Sequence, residues 1–545
     1  MRASAISLVL MLGFACKSDD PDPAGDGPGT EPTGATGLAT DDTATVDDLF
    51  AAEPSLRAPA ALVGGAREVV VSADAAVPLE VRWAGVDGER VVRWAPATDF
   101  AVPLVGLRPD ADYTVTLTLD PDGAADARTL PLTGDPLPVN LPELDVLTLE
   151  AAGVSPGHTL FAATTPGVVA AWLLLLDPEG IPVWWAYSAT RLGDLRLTEQ
   201  GTLLGLGDFD IVELDWLGTE RLHYTTQPFG TATPIDVDLV HHEIYPLADG
   251  HLLTLDQANV TVDDLPIAYD QLGTGGEALV VDNGIVELDA TGQVVRRVAL
   301  TDLLPTSRIG WNSLDPVPTA GGALDWAHAN AVVPDTDGSW VVCLRHQDAL
   351  VKIGTDDGLD WILGDPAGWT APWSKQLLAP VGEVVWPYHP HAPELSQEAD
   401  GLHILLFDNV NDGHTPYTPA PAVPRSSRLV EYRVDEKART VEELWSYELE
   451  RDGPLAAFAL GDADRLDNGH VLGVWGMLSA EKGTDNLDQG RGNLSARIAE
   501  IDPTTGDVVF DLRVGDTRAR VPEGWTVYRA ARLPQLFPTA QSESP

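Results

Sequence analysis

Cysteine is nearly absent, with only Cys16 and Cys343 in 545 residues. Once Cys16 is lipidated or cleaved away with a leader, Cys343 has no partner in the chain, which excludes an intramolecular disulfide. Positive charge is also scarce: 33 Lys and Arg stand against 83 Asp and Glu, a formal net charge of −50. A field of that sign repels phosphate backbones and excludes a nucleic-acid partner. It repels anionic small molecules too, except where a local cationic pocket overrides it. Beyond the N-terminus no apolar run is long enough to span a bilayer as a helix. Long helices have little support anywhere. What is present is an acidic surface and 44% apolar residues. That suffices for two or three domains, or for one repeat architecture with an appendage.

The chain opens "MRASAISLVLMLGFAC", one Arg, an apolar run and small residues before the Cys. Residues 1–16 resemble a bacterial lipoprotein signal in which Cys16 becomes the lipidated first residue. Gly13 and Phe14 depart from the usual pattern, so ordinary cleavage near Ala15 is the other reading. Either way export is expected, to a periplasmic or cell-surface location, and with Cys16 lipidated the lipid is the sole membrane contact. Residues 17–56 are rich in Asp, Thr, Gly, Pro and Ala and read as a disordered acidic linker. From 57 to 140, short alternating runs suggest a small β-sandwich. There "LVGLRPDADYTVTLTL" resembles the late strands of a fibronectin type III or Ig-like module. Tyr113 takes the place of its corner tyrosine, whose hydroxyl ties back to the loop backbone.

Beyond 140 the chain repeats itself. A turn followed by an apolar strand recurs at Gly201, Gly250, Gly338, Gly401 and Gly469. Each is followed by a second strand and an acidic or Gly turn, and "LLLLDPEGIPVWW" adds an earlier copy. A sheet of this kind cannot bury both faces alone, and radial stacking of several buries them all. The expectation is an all-β six-bladed β-propeller over 141–535, followed by a flexible tail over 536–545.

All twelve histidines lie at or after His158. Several stand just before the turn–strand phrase, where the inner strand of a blade begins: His241 and His242, His328, His389 and His391. Strand starts of that kind converge on the central channel. The remaining seven, His346 among them, read as surface or internally hydrogen-bonded residues.

His-His-acid before a "DG" turn, "DWAHAN" with an Arg one strand later, a His ahead of "LLFDN", "GDADRLDNG" and a terminal "YRAAR" occur in that order. Together they resemble the bacterial aryl-sulfate sulfotransferases. The resemblance implies a six-bladed propeller enzyme that moves a sulfuryl group from a phenolic sulfate ester to an acceptor phenol, without a nucleotide donor or a cofactor. Carried onto this chain, it implies His391 as the transiently sulfated nucleophile and Arg345 over the sulfuryl oxygens. His328 and His242 would share oxyanion and proton work, with Asn330 as a neutral donor. Pro390 stands where the family has Gln, and His389 lies two residues upstream, so His389 and His391 both stay open as nucleophile. His389, His241 and Trp386 are further substrate-contacting candidates. A homodimer is left open.

The residue types fit the chemistry. Sulfuryl transfer spreads negative charge over equatorial oxygens, as phosphoryl transfer does, and calls for an in-line nucleophile, a cation and an acid. Two other classes compete. Three imidazoles around one axis could bind copper, iron or zinc, though a neighbouring guanidinium repels a divalent ion. A non-catalytic surface propeller for adhesion is the other.

Overall fold

The computed structural model describes residues 48–227, 230–270, 275–420, 426–449, 455–479, 494–516 and 523–536. The expected lipidation at Cys16, nearly all of the linker and most of the tail lie outside them. The described chain is nearly all β. The one α-helix among the described residues is the four-residue Leu300–Leu303.

Ser55–Arg57, Ala66–Gly85, Gly88–Val105, Asp112–Leu119 and Asp126–Thr133 form one five-stranded sheet. Side-chain alternation decides its buried face. In Asp112–Leu119, Tyr113, Val115, Leu117 and Leu119 are buried while Asp112 and Thr114 are exposed. The inward residues form a core with Val69, Val81, Trp83, Val102 and Leu104. The register of the long hairpin slips between Ser72 and Val77, and an irregularity of that kind bends a sheet. Ordered chain begins earlier than residue 57, because Phe50 is buried and bridges Ala73. One apolar side chain is enough to pin the end of the linker there.

The Tyr113 hydroxyl accepts a 2.8 Å bond from the Arg108 N–H, the tie expected of a corner tyrosine. Burial pushes its phenol up to about 12. Tyr113→Phe strands the Arg108 N–H and is expected to lower unfolding stability by about 1–3 kcal/mol, read from a urea titration.

Six further sheets of four to six strands follow. Their lead strands are Asp194–Leu197, Val240–Pro246, Ala329–Pro334, Pro390–Glu398, Asp462–Arg465 and Thr526–Leu533. Each lead strand touches the next, and Thr526–Leu533 touches Asp194–Leu197, so the contacts close on themselves. Two pairings join the chain's ends to the series. Thr526–Leu533 pairs with His158–Thr164 in the first of these sheets. Glu143–Leu149 pairs with Val508–Gly515 in the last.

Apolar cores fill the gaps between successive sheets. Because both faces of a sheet are covered, its middle strands read as unbroken apolar runs; Trp340–Leu344 and Ala349–Ile353 are buried throughout. The repeat glycines Gly201, Gly250, Gly338, Gly401 and Gly469 all have positive φ. That conformation, easy only for glycine, is why the turn motif recurs.

Candidate active site

Regular strands would turn the predicted histidines alternately in and out. The lead strands are not regular. Register slips between His241 and Ile244, between Ala329 and Ala331, and between His391 and Glu394. His242, His328 and His389 have φ of 62°, 46° and 56°. Bulges and left-handed residues at neighbouring strand starts re-aim side chains, and such strain concentrates at functional sites. The slip between Ala329 and Ala331 falls between His328 and the rest of its strand, so the two-residue spacing of His328 and Asn330 does not by itself place them on one face.

The imidazoles meet. Ring centroids lie 4.9 Å apart for His241–His242, 5.1 Å for His242–His328, 4.6 Å for His328–His346 and 5.7 Å for His346–His389. Tyr528 is 5.9 Å from His242. A cavity of about 210 Å3 opens over His241, His242, Arg191, Leu460 and Tyr528.

His328 Nδ1 donates to the Asp325 carboxylate at 2.6 Å, which leaves its Nε2 for substrate. Burial alone would raise Asp325, but His328, His346 and Arg345 together hold its carboxyl well below the ordinary range. The His391 Nδ1–H donates to the His389 carbonyl at 3.2 Å, so the lone pair sits on Nε2. Burial, then Arg345 and His328, push His391 well below the usual histidine range. His389 is different: Nδ1 faces Asn411 Oδ1 at 3.1 Å and Nε2 faces the Trp311 carbonyl at 3.3 Å. Both of its nitrogens are engaged by the protein.

His242 Nδ1 lies 2.7 Å from His241 Nδ1. His241 in turn lies 3.2 Å from the Asp256 carbonyl and 3.3 Å from the Asn283 amide. His241 thus backs His242, and burial lowers it to about 4. Asn330 spends an amide N–H on the Pro390 carbonyl at 2.8 Å, and Cys343 Sγ meets the same oxygen at 3.2 Å. These two hold the backbone on which His391 stands. Cys343 is wholly buried. Trp386 packs with Val341, Trp361 and Leu402. Among the described residues no ring contact joins it to the histidines.

Arg345 caps the strand Trp340–Leu344 in a short 3-10 turn. Its Nη1 donates to His346 Nε2 at 2.7 Å, while His346 Nδ1 donates to the Asp325 carbonyl at 2.6 Å. Burial brings Arg345 down to about 10, which leaves it charged at neutral pH. His346 is the residue sequence reasoning missed. The other site histidines stand ahead of a turn–strand phrase, whereas His346 follows the strand Trp340–Leu344. Its one signal was adjacency to Arg345.

Behind the histidines, Arg529 holds Glu243 by two bonds of 2.8 and 2.6 Å, and Arg196 pairs with the same carboxylate. This network pins the bulge that carries His242. Asp325, His328 and His346 also have the spacing of a metal-ligand group. They fit a cation poorly, because both Nδ1 atoms donate to Asp325 and Arg345 donates to His346 Nε2. Asp408 accepts from the Tyr388 and Val410 N–H groups and pairs with Arg428, a strand-closing role.

A profile of the arylsulfotransferase (ASST) family matches residues 157–529. The chain is 28% identical over 411 residues to the arylsulfate sulfotransferase AssT of Escherichia coli O6:H1, covering 64% of either protein. It is 26% identical over 417 residues to the AssT of Lelliottia amnigena, covering 65% of this chain and 64% of that protein.

Proposed function

Because this chain belongs to the arylsulfotransferase family, we propose that it transfers a sulfuryl group from a phenolic sulfate ester to an acceptor phenol. No nucleotide donor takes part, and His391 carries the group between the two half-reactions. The observation that carries this reading is the state of His391: its Nδ1–H is spent on the His389 carbonyl, burial keeps the ring neutral, and Nε2 is left with its lone pair. His389, with both nitrogens engaged, lacks a free lone pair. That favours His391 as the nucleophile.

The steps follow from the donors present. The Nε2 lone pair of His391 attacks sulfur while the sulfur–oxygen bond to the aryl group breaks. That bond pair leaves on the phenolic oxygen, which takes a proton from His328 Nε2. In the second half the neutral His328 removes the acceptor phenol's proton, the phenolate oxygen attacks sulfur, and the sulfur–nitrogen bond returns its pair to His391. Asp325 stabilises the imidazolium form of His328, which donates in the first half and is restored in the second. Arg345 balances charge on the sulfuryl oxygens in a dry site. The scaffold reading belongs to the same proposal: a six-bladed propeller preceded by a small β-sandwich, supported by the closed series of lead strands and the cores between successive sheets. So does export with a lipid anchor at Cys16.

Colour release from a nitrophenyl sulfate, with and without an added phenol, tests the activity. Absence of both release and a sulfated protein across several donors would favour a binding module. The pH dependence is a second check. His391 is held well below the usual histidine range, so it stays neutral as pH falls from 7 through 6. Its ionisation should leave no acid limb near 6.5 in kcat/KM for adduct formation, since kcat/KM reports free-enzyme groups. Such a limb, coinciding with the titration of the His391 imidazole read by NMR, contradicts the assignment.

A further inference from the structure

Three contacts immobilise the Arg345 guanidinium. Nη1 donates to His346 Nε2 at 2.7 Å; Nη2 lies 3.4 Å from Asn411 Oδ1 and 3.3 Å from the Phe458 carbonyl. Nε–H is buried and has no partner. In a guanidinium Nε–H and Nη2 share one edge, the fork that recognises oxyanions. That edge meets Asn411. The Asn411 amide is oriented by its neighbours, because Oδ1 faces both Arg345 Nη2 and His389 Nδ1. Its Nδ2 is then left buried and without a partner as well. Arg345 is 6% exposed and Asn411 5%, so neither group faces bulk solvent. Two orphaned donors on adjoining side chains are rare in a folded interior and call for an acceptor.

We infer that Asn411 Nδ2 and Arg345 Nε together form a cradle for one oxygen edge of a tetrahedral oxyanion, with His346 holding the guanidinium in place. Asn411 is thus a substrate-contacting residue that neither motif spacing nor histidine counting marked. As to which oxyanion is bound in turnover, the inference rests on the sulfuryl-transfer reading; the cradle itself does not.

Sodium sulfate is the probe, titrated into the full chain by calorimetry, with Asn411→Asp and Asn411→Leu as the variants. Aspartate keeps the acceptor that Arg345 and His389 use, but its charge alone repels a nearby anion, so it is read beside the uncharged Asn411→Leu, in which a merely structural role predicts normal sulfate affinity wherever the melting temperature is kept. The cradle predicts a loss of about tenfold or more, as expected for one hydrogen bond to a charged group. Asn411→Leu should lose binding as well. Arg345→Lys keeps the charge but not the Nε–H, and should weaken binding even if Asn411→Asp fails to fold. Normal sulfate affinity in the folded Asn411→Leu or Asn411→Asp protein, or no sulfate binding by the parent, overturns the cradle. Sulfate binding sensitive to Asn411, in a protein that no aryl sulfate can sulfate, leaves the cradle standing and removes the transfer reading instead.

Discussion

His391→Asn protein incubated with a nitrophenyl sulfate gains no mass, while the parent chain gains a single sulfuryl group. Intact-mass spectrometry reads both results directly. The expected loss in phenol release is at least about 10³-fold, because a covalent route that divides one difficult transfer into two easier ones disappears with its nucleophile. Folding should survive. Asparagine is smaller than histidine, and the bond from His391 to the His389 carbonyl at 3.2 Å is one that an amide can imitate. Retention of the adduct in this variant, with loss in His389→Asn, would move the nucleophile by two residues. The transfer mechanism would outlive that result.

Asp325→Asn should cost about 10² to 10⁴ in turnover, the range set by removing a positioned general acid–base or the carboxylate that orients it. Asp325 accepts the His328 Nδ1–H at 2.6 Å. An amide there can present its own N–H to the ring, favour the wrong tautomer and cease to stabilise an imidazolium. The penalty should grow with the basicity of the leaving phenol. A nitrophenolate departs with little help, whereas an unsubstituted phenolate needs the proton from His328. Equal penalties for the two donors would mean that Asp325 acts only on structure. The sulfated His391 should still accumulate slowly with the nitrophenyl donor, which separates this defect from loss of the nucleophile.

Much of this protein was legible in its sequence, for reasons that are local. Alternation in Asp112–Leu119 and the Arg108–Tyr113 tie need only nearby residues. The turn glycines recur because a positive φ is a property of one position. Apolar runs such as Trp340–Leu344 announce strands covered on both faces. The ordered motif set pointed to His242, His328, Arg345 and His391, because chemistry restricts which residue types can do the work.

Tertiary structure alone decided the rest. Which histidine of each pair can react depends on partners far along the chain: Trp311 and Asn411 for His389, Asp256 and Asn283 for His241. His346 and Asn411 became visible only where the Arg345 guanidinium needed acceptors, 66 residues away in the case of Asn411. The neighbours of Trp386, Val341 and Leu402 among them, likewise come from separate sheets. A side chain's type is written in the sequence and limits what it can do. Its proton inventory is set by which donors and acceptors surround it once water is excluded, and only the folded chain brings those together.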